Sequence, residues 1–282
     1  MPRTLQIITD ITDASYNEMY AIIHSISDRL SAIPINIAPF TPVKEYSITH
    51  GAFLTRLMAK SYINPVVLYT NISPHPTHNT DVIGRTKKKD VIFIGANTGV
   101  FDWLVKDYGL AELVQITKRK PFIVDGELIY LPGEKPPKNY DKRFSNKTEH
   151  LTFAAHTILG SIASAVTVGM DFNMFGEEKD RSFIVEHEIK KGEIVHIDNF
   201  GNAKIYGTID VTEGQRLLIL KHGKSIAQGL YITGRMMSQP TGSYAIYPST
   251  SLPNMIDMAL IRGDACKSLK LNVGDILSFK LC

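Results

Sequence analysis

The sequence predicts a chain that begins as an α/β domain, with a mostly parallel sheet covered by helices, and ends as a small all-β domain. Up to about residue 172, apolar strand-like runs alternate with polar loops and stretches of helical spacing. From Phe183 onward the chain is a series of short β-runs separated by Gly or Pro turns. Between them Glu177–Arg181 forms a charged link.

The elements follow in order. Leu5–Thr9 is a short apolar strand, and Asp10–Asp13 a polar loop. Glu18–Leu30 carries Met19, Ile22, Ile23, Ile26 and Leu30 at helical spacing. Pro34–Ala38 reads as a strand stopped at Pro39-Phe40, and Ser47–Ser61 as a second helix. Asn64–Thr70 and Asp90–Ile94 are buried-type strands. The second leads through Gly95-Ala96-Asn97-Thr98-Gly99 into a helix from about Val100 to Tyr108. Asp10, Asn71 and Asn97 each follow a strand directly, so one sheet edge can hold all three. Residues 131–147, rich in Pro, Lys and Asn, read as a long loop. Glu149–Val166 reads as a helix whose small residues permit close packing. The later β-runs fall at 193–198, 203–210, 215–221, 224–231, 243–247, 255–261 and 275–280.

Composition narrows the function classes. At 282 residues and 44% hydrophobic, the chain has room for one large domain or two unequal ones. A net charge of +3 and two short basic runs, Lys87–Lys89 and Lys118–Lys120, lack the broad basic face of a nucleic-acid binder. Two cysteines, Cys266 and Cys282, build neither a disulfide framework nor a Cys-based zinc site. A reducing, cytoplasmic setting is expected. Asp10, Asp13 and Glu18 interrupt any signal-peptide core, and Ile158–Met170 is too short to span a bilayer, so no membrane role is expected.

Several constellations could carry chemistry. Residues 192–202 join an alternating strand to a polar knot in which Asp198 and Asn202 flank Phe200. Two readings fit: a plain Asx-turn, or an acid and an amide that grip a ligand ammonium and a heterocycle edge together. Asp10 at a strand end suits a ribose diol, although a lone acid there more often serves as a helix cap or turn. The loop 95–99 lacks the Lys of a P-loop and the spacing of a dinucleotide fingerprint, so it reads as a turn lining a cleft. His75 and His78 lie close in a Pro-rich loop without a third metal ligand, and His150 and His156 are not at same-face spacing. No metal and no separate cofactor are expected. Without a Gly-x-Ser-x-Gly elbow or a Cys-His pairing, covalent acyl chemistry is disfavoured.

Taken in order, Thr9-Asp10, Asp13, Glu18-Met19, Ala38-Pro39-Phe40, Phe93–Gly99, Phe144, Ala154-Ala155-His156, Ile197–Asn202, Ile256–Ala259 and Val273-Gly274-Asp275 resemble the S-adenosylmethionine (SAM) hydroxide adenosyltransferase family, which includes the adenosyl-fluoride and adenosyl-chloride synthases. The likeness covers nearly the whole chain, and the Asp-x-Phe-Gly-Asn segment is its most specific part. It implies an N-terminal α/β/α (Rossmann-like) domain over 1–175 and a C-terminal β-barrel domain over 183–282. It also implies a homotrimer, with SAM or adenosine held between one subunit's N-terminal domain and the next subunit's C-terminal domain. By position, Asp10 resembles the ribose-diol acid, and Asp13 falls near the methionine contacts. Phe40 falls where a residue walls the ligand, and Phe144 in the segment facing the ribose C5′. The 96–99 turn with Asn97 replaces an Asp-Asn-Gly turn. Asp198 resembles the acid for the methionine ammonium, Asn202 the amide reading adenine, with Phe200 between them. Thr250 and Ser251 fall near the methionine-carboxylate contacts.

The implied chemistry is displacement at the ribose C5′, where the sulfonium leaves as neutral methionine and a nucleophile enters in line. The sequence departs from the family where it handles the nucleophile. The water-activating Asp-Arg-His set is not matched: Asn71 begins a segment with no Asp, Thr80 falls at the Arg and Ser145 at the His. Asn146 stands where halide users carry Ser. Three functions follow from this. The first is hydrolysis of SAM to adenosine and methionine, with water steered by Asn71, Ser145 and Asn146 and by His75 or His78. The second is binding of SAM or adenosine without turnover. The third is use of another nucleophile such as halide.

Overall fold

The computed structural model describes residues 3–72, 80–148 and 154–282, with the backbone alone for 145–148. The protein is mixed α/β with several sheets, and it divides into two units, Met1–His187 and Glu188–Cys282. No described helix is long and apolar enough to cross a membrane.

The first unit runs β1 (Thr4–Thr9), α1 (Ala14–Leu30), β2 (Asn36–Ile37), β3 (Thr41–Pro42), α2 (Ile48–Ser61), β4 (Val66–Asn71), β5 (Asp81–Thr86), β6 (Val91–Ala96), α3 (Asp102–Tyr108), β7 (Leu110–Ile116), β8 (Ile123–Val124), β9 (Glu127–Leu128), α4 (Tyr140–Thr148), a π-helical turn at Ala155–Gly160, α5 (Ser161–Thr167) and β10 (Gly176–Glu178). Its main sheet has the order β10-β7-β5-β6-β4-β1-β2, with β3 also beside β1. β1, β2, β3, β4 and β6 pair in parallel. β5 pairs antiparallel with both β6 and β7, and β10 antiparallel with β7. The sheet is therefore mixed, with four of its seven pairings parallel and three antiparallel. β5 and β6 are joined by a connection too short for a crossover, which leaves only an antiparallel hairpin. Lys87–Lys89 sits in that connection.

β4 and β6 are buried at every position, as strands covered on both faces must be. α1 starts on Asp13, whose Oδ1 accepts from Ser15 N at 3.0 Å, and buries Met19, Ile23 and Ile26. The expected loop 131–147 turns helical at Tyr140, because Tyr140 and Phe144 stand one turn apart and both bury their rings. Of the expected helix 149–166, residues 149–153 lie outside the described residues. The remainder is the π-helical turn and α5. The small residues there do permit close approach: Ser164 Oγ donates to Ile23 O at 2.6 Å, and a Cβ at Gly160 would lie 3.2 Å from Ile23.

The first unit also extends past both expected boundaries, 175 and 183. β10 belongs to its sheet, and the segment to His187 is tied down by side chains of the first unit. Asn97 Nδ2 donates to Phe183 O at 2.7 Å, while Asn97 Oδ1 accepts from Val185 N at 3.0 Å.

The second unit holds β11 (Ile194–Ile197), β12 (Ala203–Tyr206), β13 (Arg216–Lys221), β14 (Lys224–Tyr231), β15 (Tyr244–Pro248), β16 (Met255–Leu260), α6 (Ala265–Leu269) and β17 (Leu277–Leu281). Seven strands form one curled sheet in the order β11-β12-β16-β15-β14-β13-β17, parallel only between β14 and β15. Its outer strands approach at one end, where Ile194 N donates to Asp275 O and Leu277 N to Gly192 O, both at 2.8 Å. The β13–β14 turn uses His222 and Gly223, both at positive φ, as a tight hairpin with right-handed strand twist requires. The short helix α6 is an addition to the expected all-β pattern. Asp264 caps it, accepting from Lys267 N at 2.7 Å.

Candidate functional site

In the first unit β1, β4 and β6 lie side by side and parallel, with Thr9 opposite Asn71 and Thr70 opposite Gly95. That register brings Asp10, Asn71 and Asn97 to one edge, formed by the carboxyl ends of three adjacent strands. Open α/β sheets bind ligands at such an edge. Gly95 allows the strands to close up there. It adopts φ 151°, and a Cβ would lie 2.0 Å from Thr70 O.

The three side chains have different surroundings. Asp10 is half-buried, and its Oδ2 accepts from Tyr46 N at 3.1 Å. Asn71 is buried, at 7% exposure. Asn97 is also buried and holds the 183–185 backbone with both ends of its carboxamide. Asp13 is exposed and caps α1. Phe40 stacks on Tyr16 with centroids 4.2 Å apart, against the rim of the first core. Phe144 lies inside that core, its ring 5.3 Å from Tyr140 and beneath the Arg143 guanidinium. The side chains of Ser145 and Asn146, and the whole of His75, His78 and His150, lie outside the described residues. Among the described residues no three His, Cys, Asp or Glu side chains gather as a metal site would need.

The structure adds two residues that the sequence pattern does not single out. Asp81 opens β5 opposite Ala96, which puts it on the same edge. It is 5% exposed, and Arg119 Nη2 lies 2.6 Å from its Oδ2. Burial raises the Asp81 pKa, and the Arg119 charge opposes the rise. Tyr69, whose hydroxyl donates to Ala155 O, is held protonated by burial and by the Asp81 charge. Arg119 belongs to the basic run 118–120, which leaves the carboxyl end of β7. A cavity of about 480 Å³ opens there, lined by Lys118, Arg119, Lys120, Phe122, Tyr130 and Phe175. The available signal was the β-branched start of Asp81-Val82-Ile83. With a glycine at its centre, that strand resembles a loop in sequence.

In the second unit the 198–202 corner is a closed Asx-turn. Asp198 Oδ1 accepts from Phe200 N at 2.9 Å and from Asn202 N at 3.0 Å, and Oδ2 accepts from Asn202 Nδ2 at 2.9 Å. Gly201 adopts φ 78°, and a Cβ there would overlap the Asp264 carboxylate. The turn is thus rigid, yet its tip carries Phe200 at 70% exposure. Of the two sequence readings the Asx-turn is present in this corner, and its tip presents an aromatic face to solvent. Thr250 is exposed and Ser251 half-buried on the loop between β15 and β16, where Ser249 Oγ accepts from Ser251 N at 3.2 Å.

No family model matches the chain, and no curated protein matches it. Solved structures do. An uncharacterized conserved protein from Thermotoga maritima superposes with a TM-score of 0.76 at 17% identity, covering 98% of this chain and 100% of its own. A conserved hypothetical protein from Thermus thermophilus gives a TM-score of 0.67 at 14% identity, covering 99% of this chain and 100% of its own. At such identities these likenesses show a shared fold that runs through both units.

Proposed function

We propose that the protein binds SAM and displaces methionine at the ribose C5′ with water, giving adenosine and methionine. The observation that carries this reading is the convergence of Asp10 and Asn71 at the carboxyl edge of adjacent parallel strands. A carboxylate there can take a ribose diol, and a buried carboxamide can orient a small nucleophile. The oxygen of water forms the new bond to C5′. The C–S bond breaks with its electron pair on sulfur, and one proton is released. The positive sulfur supplies the electrophilic pull, so the chemistry needs no metal. Asn71, Ser145 and Asn146 are the proposed water-positioning groups. Asp81 joins them as a carboxylate whose raised pKa suits proton uptake.

In this reading the first unit is a Rossmann-like layer and the curled sheet of the second a β-barrel. Three copies assemble in the cytoplasm, with SAM between one subunit's first unit and the next subunit's second. Asp13, Phe40, Phe144, Asn97, Thr250 and Ser251 complete the proposed ligand contacts around Asp10, Asp198, Phe200 and Asn202. A second reading, binding of SAM or adenosine without turnover, is favoured by one observation: Asn71, Thr80 and Ser145 stand where the family's water-activating Asp, Arg and His would.

Incubation of the purified protein with SAM, followed by liquid chromatography, separates these readings. Adenosine with equimolar methionine is the expected result. Unchanged SAM with a raised melting temperature selects binding alone, since a ligand held only by the native state stabilises it. A 5′-substituted adenosine that forms only with added halide selects another nucleophile. Unchanged SAM with no thermal shift removes the proposal.

A further inference from the structure

The second unit contains a row of polar side chains directly opposite one another across four strands. His196 on β11 pairs with Lys204 on β12, Lys204 with Asp257 on β16, and Asp257 with Tyr247 on β15. Cross-strand partners share a face of the sheet. The residues flanking the row along its strands, Ala203, Ile205, Ile246, Ile256 and Met258, belong to the apolar core on the other face. The row is no solvated stripe. Lys204 Nζ bonds Asp257 Oδ2 at 2.9 Å, with side-chain exposures of 13% and 6%. The other carboxylate oxygen, Asp257 Oδ1, is buried and has no hydrogen-bond partner among the described residues. A buried carboxylate oxygen left in that state is costly and calls for a donor.

The electrostatics indicate which donor. The Asp257 charge is already matched by Lys204, so a second cation would face the ammonium, and an anion would face the carboxylate. Burial and the neighbouring Lys204 push His196 down to about 4, against the pull of Asp198 and Asp257. Burial, with the charges of Asp257 and Asp198, pushes Tyr247 up to about 12. At neutral pH the row therefore holds a neutral imidazole and a protonated phenol beside the Lys204–Asp257 pair, with one buried carboxylate oxygen unpartnered among the described residues. Such a strip suits a neutral group with donors and acceptors side by side, the edge of an amino-substituted heterocycle. The row also lies one residue pair from the β11–β12 turn, since Ile197 pairs with Ala203 and the turn spans 198–202. The tip of that turn is the exposed ring of Phe200. A flat heterocycle would find an edge to bond and a face to stack on at the same end of the sheet.

We propose that Asp257, in the row His196–Lys204–Asp257–Tyr247, is a specificity-determining residue that accepts from the exocyclic amino group of a neutral heterocycle. The choice of adenine as that heterocycle rests on the SAM reading; the row itself does not. Calorimetric titration of the full-length protein with adenosine and with inosine tests it. Inosine replaces the amino donor by a carbonyl that would oppose the carboxylate. The parent is expected to bind adenosine at least about tenfold more tightly than inosine, a difference of about 1.4 kcal/mol. The double variant Asp257→Asn with Lys204→Gln keeps the row neutral and should remove that preference. Tyr247→Phe, which deletes one hydroxyl, should weaken adenosine while keeping the preference. If the parent prefers adenosine and the folded double variant retains the preference, the inference fails while the SAM reading stands. If the parent binds neither nucleoside, the choice of adenine fails, the SAM reading is left to the SAM incubation, and titration with cytosine and 2-aminopyridine decides the row. Binding lost in the double variant supports the inference, and no binding overturns it.

Discussion

The sheet edge of the first unit and the cross-strand row of the second use polar side chains in opposite ways. At the edge, side chains mostly turn back onto backbone: Asp10 to Tyr46 N, Asn97 to residues 183 and 185, Asp102 to His187 N. They pin the loops that would flank a ligand. In the row, Lys204 and Asp257 meet as side chains, and one carboxylate oxygen remains over. A group that positions the chain has its bonds satisfied before any ligand arrives. A group that recognises a ligand keeps one bond open. On this criterion the row is the better placed of the two to read a ligand, and the edge to shape the loops of its own unit.

The largest test of that contrast is Asp102→Ala. Asp102 is fully buried at the start of α3, with Arg181 Nη2 at 2.6 Å, Lys106 Nζ at 2.7 Å and His187 N at 3.0 Å. Burial would raise its pKa, but the bonds from Lys106, His187 N and Arg181 outweigh it, and the net shift is downward. Removing the carboxylate strands Arg181 and frees the 181–187 segment. We expect a loss of about 4 kcal/mol in urea unfolding, from three charge-assisted hydrogen bonds to one buried carboxylate. A loss below about 1 kcal/mol would show that Asp102 does not pin that segment.

Asp102 also marks the limit of what the sequence discloses. The strands and helices that were legible each depend on a local pattern: Val66–Tyr69 is continuously apolar, and Met19, Ile23 and Ile26 recur at helical spacing. The edge was legible too, since a polar residue just after an apolar strand must lie at its end. The partners were not. Arg181 reaches Asp102 from far along the chain, and Arg119 reaches Asp81, through tertiary packing with no local signature. The antiparallel β5 was missed because a glycine interrupts its apolar run. That glycine is there to admit Phe93: a Cβ at Gly84 would lie 2.2 Å from the ring. The row was hidden for a stricter reason. His196, Lys204, Tyr247 and Asp257 align only once β12 pairs with β16 rather than with β13, and strand order cannot be read from composition.

A smaller effect sharpens the contrast through pH. His196 titrates at about 4 in the folded protein, because burial and then Lys204 disfavour its charge, while Asp198 and Asp257 favour it. In the unfolded chain it titrates at about 6.5. Between those values the unfolded chain binds more protons, so stability rises with pH. The stabilisation is complete above about 6.5 and falls by about 3 kcal/mol as pH drops toward 4, since each pH step of one across that window changes it by about 1.4 kcal/mol. Urea unfolding across that window should show the slope in the parent and a flatter curve in His196→Gln. Equal slopes would mean that the imidazole is as accessible folded as unfolded, and the row would lose its neutral member.

The smallest effect on stability is expected from Phe200→Ala, and it distinguishes a turn built for folding from one built to present a ring. Every bond that closes the turn belongs to Asp198, Asn202 or the backbone, and Gly201 fixes the bend. The ring is 70% exposed, so its removal should change unfolding by no more than about 0.5 kcal/mol. If the ring stacks on a ligand, adenosine affinity should nevertheless fall by about 1 kcal/mol, measured by titration of the same variant. A large loss of stability with no loss of affinity would reverse the assignment: Phe200 would then be a packing residue, and the second unit would recognise its ligand without an aromatic face.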